Sequence, residues 1–132
     1  MFRCQIRSGG YYMNHEKVKD ALESLLIDFN KQIPAADNAI KQHHLAFDFH
    51  FNLVTIHPFG DENGRTSRLM MNYIQMIFRQ PLSIINVNDK NEYIISLMET
   101  REKKDMNIFR RFMENQHIKH LSKELELYKK SL

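Results

Sequence analysis

Twelve consecutive residues hold the groups in this chain best suited to chemistry: His57-Pro58-Phe59-Gly60-Asp61-Glu62-Asn63-Gly64-Arg65-Thr66-Ser67-Arg68. A helical pattern ends just before them, the chain turns past Gly60, and a second helical pattern starts near Asn63-Gly64. Free backbone N–H groups at a helix N-terminus, aided by the macrodipole, make an anion site. Arg65 and Arg68 are three residues apart, so they share a helix side and can grip two phosphate groups. Asp61 is a hard oxygen ligand placed to hold Mg²⁺ against such phosphates. His57 titrates near neutrality and is suited to take a proton from an incoming hydroxyl. A base, a metal ligand and a phosphate cradle are the parts that a phosphoryl-type transfer requires.

Positioning these groups falls to the elements on either side. Phe2, Cys4 and Ile6 alternate with Arg3, Gln5 and Arg7 before Ser8-Gly9-Gly10, which predicts a short hairpin over 2–12. Asn14 can cap a first helix with a stripe of Val18, Ala21, Leu22, Leu25, Leu26 and Phe29. A second helix is expected from about Asp37 to Ile56, with Ile40, Phe47, Phe51 and Val54 on one face. It stops before Pro58, which disfavours helical backbone at His57. The third helix carries Leu69, Met70, Tyr73, Ile74 and Ile77 toward Pro81. Asn88 or Asp89 can cap a fourth helix with Tyr93, Ile94, Leu97 and Met98. A fifth starts near Met106 with Ile108, Phe109, Phe112 and Met113, and a tail with Leu121, Leu125 and Tyr128 is again helical in period. The expected fold is an all-α bundle with one N-terminal β-hairpin. It is read as a single domain over 1–132, with a helical core over 14–113 and a helical tail over 114–132.

Composition narrows the function classes. With 42% apolar and 27% charged residues the chain can bury one core, and no apolar run approaches the length of a membrane span. Cys4 is the only cysteine, which excludes an internal disulfide and a CxxC metal pair. A cytoplasmic setting is the expectation, although a secreted effector can also lack disulfides. The formal charge of +3 suits anionic small molecules such as nucleotides. No basic helix with interleaved aromatics points to nucleic acid. His43, His50 and His57 recur one heptad apart, but about 10 Å of helix rise separates neighbours, too far to share one zinc. With His44, the first two read as core or partly buried residues.

The twelve-residue stretch resembles the signature of the Fic family, HxFx[D/E]GNGRxxR. His57, Phe59, Asp61, Asn63, Gly64, Arg65 and Arg68 all match, seven defined positions within twelve residues. The resemblance implies a protein adenylyltransferase that moves AMP from ATP to a Tyr, Thr or Ser hydroxyl of a target protein and releases pyrophosphate. His57 would be the base and Asp61 the Mg²⁺ ligand. The nucleotide-binding set would be Gly60, Glu62, Asn63, Gly64, Arg65 and Arg68, and Phe59 would anchor the loop in the core. The hairpin resembles the family's flap, whose residues Gln5, Ile6, Arg7 and Ser8 would pair with the target backbone as an added strand. The likeness continues from Pro81 to Met113 and weakens after about Glu114.

One position departs from the signature: Glu62 stands where the family has the first glycine of GNG. A non-glycine there costs about 1–2 kcal/mol if the backbone needs positive φ. A carboxylate beside the cradle also repels phosphate unless it faces solvent or helps hold the metal. Two alternatives therefore stand beside AMP transfer. One is a Fic-type transferase using another nucleotide or phosphate donor; the other is a catalytically impaired module that keeps the flap as a peptide-docking edge. Many Fic proteins are restrained by an [S/T]xxxE[G/N] helix, on an antitoxin-like partner or in the same chain, whose glutamate pairs with the second motif arginine, here Arg68. Ser122 and Glu126 fit SxxxE, with Leu127 where Gly or Asn is expected; the same spacing suits an exposed charged helix face.

Overall fold

The computed structural model describes residues 6–7, 10–11, 15–56 and 63–132, with side chains over 17–56 and 64–132. The fold is all-helical apart from one short antiparallel pairing, in which β1 (Ile6–Arg7) meets β2 (Gly10–Tyr11) with Ile6 opposite Tyr11 and Arg7 opposite Gly10. The rest of the expected hairpin, and the expected cap Asn14, lie outside the described residues. The chain divides into two compact units, Met1–Pro81 and Leu82–Leu132. No helix among the described residues is long and apolar enough to cross a membrane.

In the first unit, α1 (His15–Gln32) buries Val18 completely and Ala21, Leu22, Leu25 and Phe29 in part. Leu26 stays exposed, so the stripe is narrower than expected. The Phe29 ring meets Phe49 edge-on, centroids 5.1 Å apart, joining α1 to α2. A single 3-10 turn, Ile33–Ala35, leads into α2 (Ala39–Ile56). This helix starts two residues later than Asp37 because Asn38 caps it: Asn38 Oδ1 accepts from the Lys41 N–H at 2.9 Å. Ile40, in its first turn, is exposed rather than on the buried face. From Leu45 onward α2 is buried nearly all round, as a helix at the centre of its unit must be.

The packed face of α3 (Asn63–Ile77) is not the one that hydropathy picks. Ser67, Met71, Ile74 and Gln75 are buried, whereas Leu69, Tyr73 and Ile77 are exposed. Polar groups on α2 explain the shift. Gln75 Nε2 meets His43 Nδ1 at 3.1 Å, and the buried His50 lies on the same helix as His43. The helix closes at Ile77 without help from glycine. Arg79 adopts left-handed backbone with φ 57°, its N–H bonding the Met76 carbonyl at 2.9 Å, and the Gln80 N–H reaches the Gln75 carbonyl at 2.8 Å. Those two bonds are the Schellman pattern.

The second unit begins with an extended segment and a 3-10 turn, Val87–Asp89, before α4 (Lys90–Lys103) and α5 (Met106–Ser131). The cap differs from expectation: Asn86 Oδ1 accepts from the Asn88 N–H at 2.9 Å, and the Asp89 side chain caps nothing. Its carboxylate is engaged instead by Gln116 Nε2 at 2.9 Å and Lys119 Nζ at 2.8 Å, both on α5. Ser83 Oγ and His117 Nδ1 are 2.8 Å apart, and the Asn86 N–H donates to Gln116 Oε1 at 2.9 Å, so the segment is held to α5 along its length. On α4 the buried residues are Tyr93, Ser96, Leu97 and Thr100, while Ile94 and Met98 are exposed. Tyr93 packs its ring near Phe109 and Phe112 of α5. Helix α5 is one continuous helix capped by Asp105, so the expected tail is its second half, exposed from Leu121 onward.

Candidate functional site

Helix α2 ends at Ile56 and α3 begins at Asn63, one on each side of the six residues expected to do chemistry. His57, Phe59, Gly60, Asp61 and Glu62 lie outside the described residues, as do the side chains of Asn63 and of Gln5, Ile6, Arg7 and Ser8. What the structure does place is the far half of the motif, the opening turns of α3.

There Gly64 is half-buried, Arg65 exposed, Ser67 fully buried and Arg68 half-buried. The Arg68 guanidinium folds back across the first turn, toward the end where anions bind. A Cβ at Gly64 would lie 3.1 Å from Arg68 Nη1 and 3.8 Å from Cζ, so the missing side chain makes room for that guanidinium. Helix α3 carries no acidic residue in its first turn and has Arg65 there instead. Cations at a helix N-terminus oppose the macrodipole, at a cost of about 0.3–1 kcal/mol each. An anion bound at that end reverses the sign, because it is attracted by both the arginines and the free N–H groups.

Two further residues bear on the site. His50 on α2 and Ser67, which stands between the two arginines on α3, are both fully buried. Burial pushes the pKa of His50 down to about 4; the nearby Ser67 backbone opposes this and the Arg68 charge adds to it. The ring is therefore neutral at physiological pH, and the positive charge at this end of α3 resides on the arginines. The buried Ser67 Oγ has no hydrogen-bond partner among the described residues. Sequence reasoning took His50 as a core residue, as its burial shows, and passed over Ser67.

Among the described residues no cluster of His, Cys, Asp or Glu is arranged to hold a metal ion. His43 and His44 are half-buried, and His43 stacks on Phe47 with centroids 5.9 Å apart. Ser122 and Glu126 lie exposed on α5, in the second unit.

Comparison with known proteins gives a consistent result. The model of the Fic/DOC family matches residues 6–75. Protein adenylyltransferase fic-1 of Caenorhabditis briggsae is 37% identical over 82 residues, 62% of this chain and 16% of that protein. A protein named ribonucleoside-diphosphate reductase small chain, from Ostreid herpesvirus 1, is 29% identical over 103 residues, 74% of this chain and 17% of that protein. The chain thus spans about a sixth of the length of these curated relatives. The crystal structure of a Fic domain containing signaling protein from Bacteroides thetaiotaomicron VPI-5482 is similar with a TM-score of 0.77 and 23% identity, over 85% of this chain and 47% of that one. That likeness is one of fold.

Proposed function

We propose that this chain, which belongs to the Fic/DOC family, transfers AMP from ATP to a tyrosine, threonine or serine hydroxyl of a target protein. The observation that carries the reading is the opening of α3, where Gly64 clears space for the Arg68 guanidinium directly after the HPFGDE stretch. The adenylyltransferase names of several relatives support the same reading.

In this mechanism His57 takes the proton of the target hydroxyl as its oxygen attacks the α-phosphorus of ATP. The new P–O bond forms as the bond to the β-phosphate oxygen breaks, and pyrophosphate leaves with that electron pair. Arg65, Gly64 and Asn63 hold the phosphates at the N-terminus of α3, and Arg68 grips the terminal phosphate. Gly60 and Glu62 would contribute backbone N–H groups to the phosphates, and Phe59 would anchor that stretch. Asp61 is the residue that would hold Mg²⁺, which when bound neutralises phosphate charge. Gln5, Ile6, Arg7 and Ser8 would offer a strand edge to the target backbone, fixing which hydroxyl reaches His57.

Glu62 favours one second reading within the same fold, a donor other than ATP, because a carboxylate beside the cradle penalises the most highly charged phosphate chains. The test is incubation of the purified chain with Mg²⁺ and ATP labelled at the α- or the γ-phosphate, with and without a cell lysate, beside His57→Ala. AMP transfer predicts protein-bound label from the α-position only, lost in the variant. Label from the γ-position alone would replace AMP transfer by phosphate transfer. Absence of label from ATP and from other nucleotides, together with no Mg²⁺-dependent ATP binding, would leave a peptide-binding module.

A further inference from the structure

We propose that the distal half of α5 is a dimerisation helix: two copies of this chain pair their α5 helices in parallel through a seam of Ile118, Leu121, Leu125, Tyr128 and Leu132. The inference is independent of the function proposed above.

Over residues 118–132 six large apolar side chains are exposed, each by at least 38%, and five of them recur at alternating steps of three and four. Only Leu127 falls outside that series. The spacing is that of a coiled coil, with Ile118, Leu125 and Leu132 at its a positions and Leu121 and Tyr128 at its d positions. Scattered exposed apolar residues need no partner. A continuous row at this period has a definite complement, a second helix carrying the same row. The unit itself does not use this side of α5, which packs through Phe109, Met113 and Gln116. Leu125 stands nine residues past Gln116, about two and a half turns, and so lies on the opposite side of the helix. The nucleation that makes short isolated helices unstable is no obstacle here, because the packed first half of α5 already holds the seam helical.

Charge selects the partner and its direction. In a parallel pair each g position faces the e position five residues further along the other helix. Glu124 stands at g and Lys129 at e, so the two-fold axis of a parallel homodimer produces the Glu124–Lys129 pair twice. Neither side chain takes part in an ion pair among the described residues. In an antiparallel pair g faces g and e faces e, and Glu124 never meets Lys129. Ile at a followed by Leu at d, as in Ile118 and Leu121, also suits two parallel strands.

The test is sedimentation equilibrium of the whole chain. A seam this short lies at the small end of specific interfaces, so the chain is followed from about 5 to 500 µM. The wild type is expected to pass from monomer to dimer within that range. Leu125→Glu, at an exposed position, should keep the far-UV circular dichroism of the wild type. It places two carboxylates in the seam and should weaken association by roughly thirtyfold or more. Glu124→Lys or Lys129→Glu alone turns two attractions into two repulsions and should weaken association several-fold at low salt. The two together restore the pair with its ends exchanged and should return association to within about twofold of wild type. A chain that stays monomeric throughout, as it would if the row served a different protein, overturns the proposal. So does a dimer that Leu125→Glu leaves intact, which would use another face. Single charge variants without effect, or not rescued by the double variant, overturn it too, because the helices would then not run in parallel.

Discussion

At the scale of single residues, the site is built from what is absent as much as from what is present. Gly64 sits in the first turn of α3, where the Arg68 guanidinium passes over it with Nη1 3.1 Å from where a Cβ would be. Gly64→Ala therefore separates stability from function. Alanine is the better helix former by up to about 1 kcal/mol, and the group it meets is the movable end of a long side chain. The fold should keep its Tm or gain a few degrees in a thermal melt. The displaced guanidinium should raise KM for ATP several-fold, as the loss of one charge-assisted contact does. A variant with wild-type KM would show that Arg68 grips phosphate from a different rotamer.

At the scale of elements, helix ends show where sequence reasoning reached and where it stopped. The stop of α2 before Pro58 was legible because proline acts locally, and the start of α5 near Met106 from its apolar spacing, without its Asp105 cap being named. The closures of α3 and α4 were not, since both place a non-glycine in left-handed backbone: Arg79 at φ 57° and Lys104 at φ 52°. Nothing in the identity of an arginine or a lysine announces that conformation. Arg79→Gly should relieve the crowding of its Cβ, offset in part by the greater freedom glycine adds to the unfolded chain. The expected balance is a stabilisation of about 0.5–1 kcal/mol, read as a higher urea midpoint. A lower midpoint would mean that the Arg79 side chain contributes more than its backbone costs. The face of α3 was misread for a related reason. Its buried side carries Ser67 and Gln75, the latter meeting His43, and a hydropathy pattern cannot credit a polar residue whose partner lies on another helix. Of the seven motif residues, His57, Phe59 and Asp61 lie outside the described residues, whereas the opening of α3 at Asn63 was legible in the sequence because its spacing marks a helix start.

At the scale of the whole molecule, the two units share a dependence on pH through buried or half-buried histidines. In the first unit His50 is held neutral by burial, its pKa pushed to about 4 from an ordinary 6.5. In the second, burial followed by the nearby charge of His120 lowers that of His117, which also meets Ser83 Oγ at 2.8 Å. In both cases the unfolded chain binds the proton more readily than the folded one. Their stabilisation is therefore complete above the unfolded pKa of 6.5 and is lost as pH falls toward the folded values. Asp89 is depressed as well, by its bonds to Lys119 and Gln116, and it extends the loss below its ordinary 3.8. For His50 alone the expected loss between pH 7.5 and pH 4.5 is roughly 2–3 kcal/mol, the free energy of a pKa shift of that size over that interval. Thermal melts should therefore fall in Tm across this window, and His50→Gln, which cannot take up the proton, should flatten the fall. A flatter curve with little change in Tm at pH 7.5 would show that the titration of His50, and not its packing, carries the effect. A variant as steep as wild type would instead assign the acid sensitivity to His117 and the second unit, and would place the pKa of His50 close to its unfolded value.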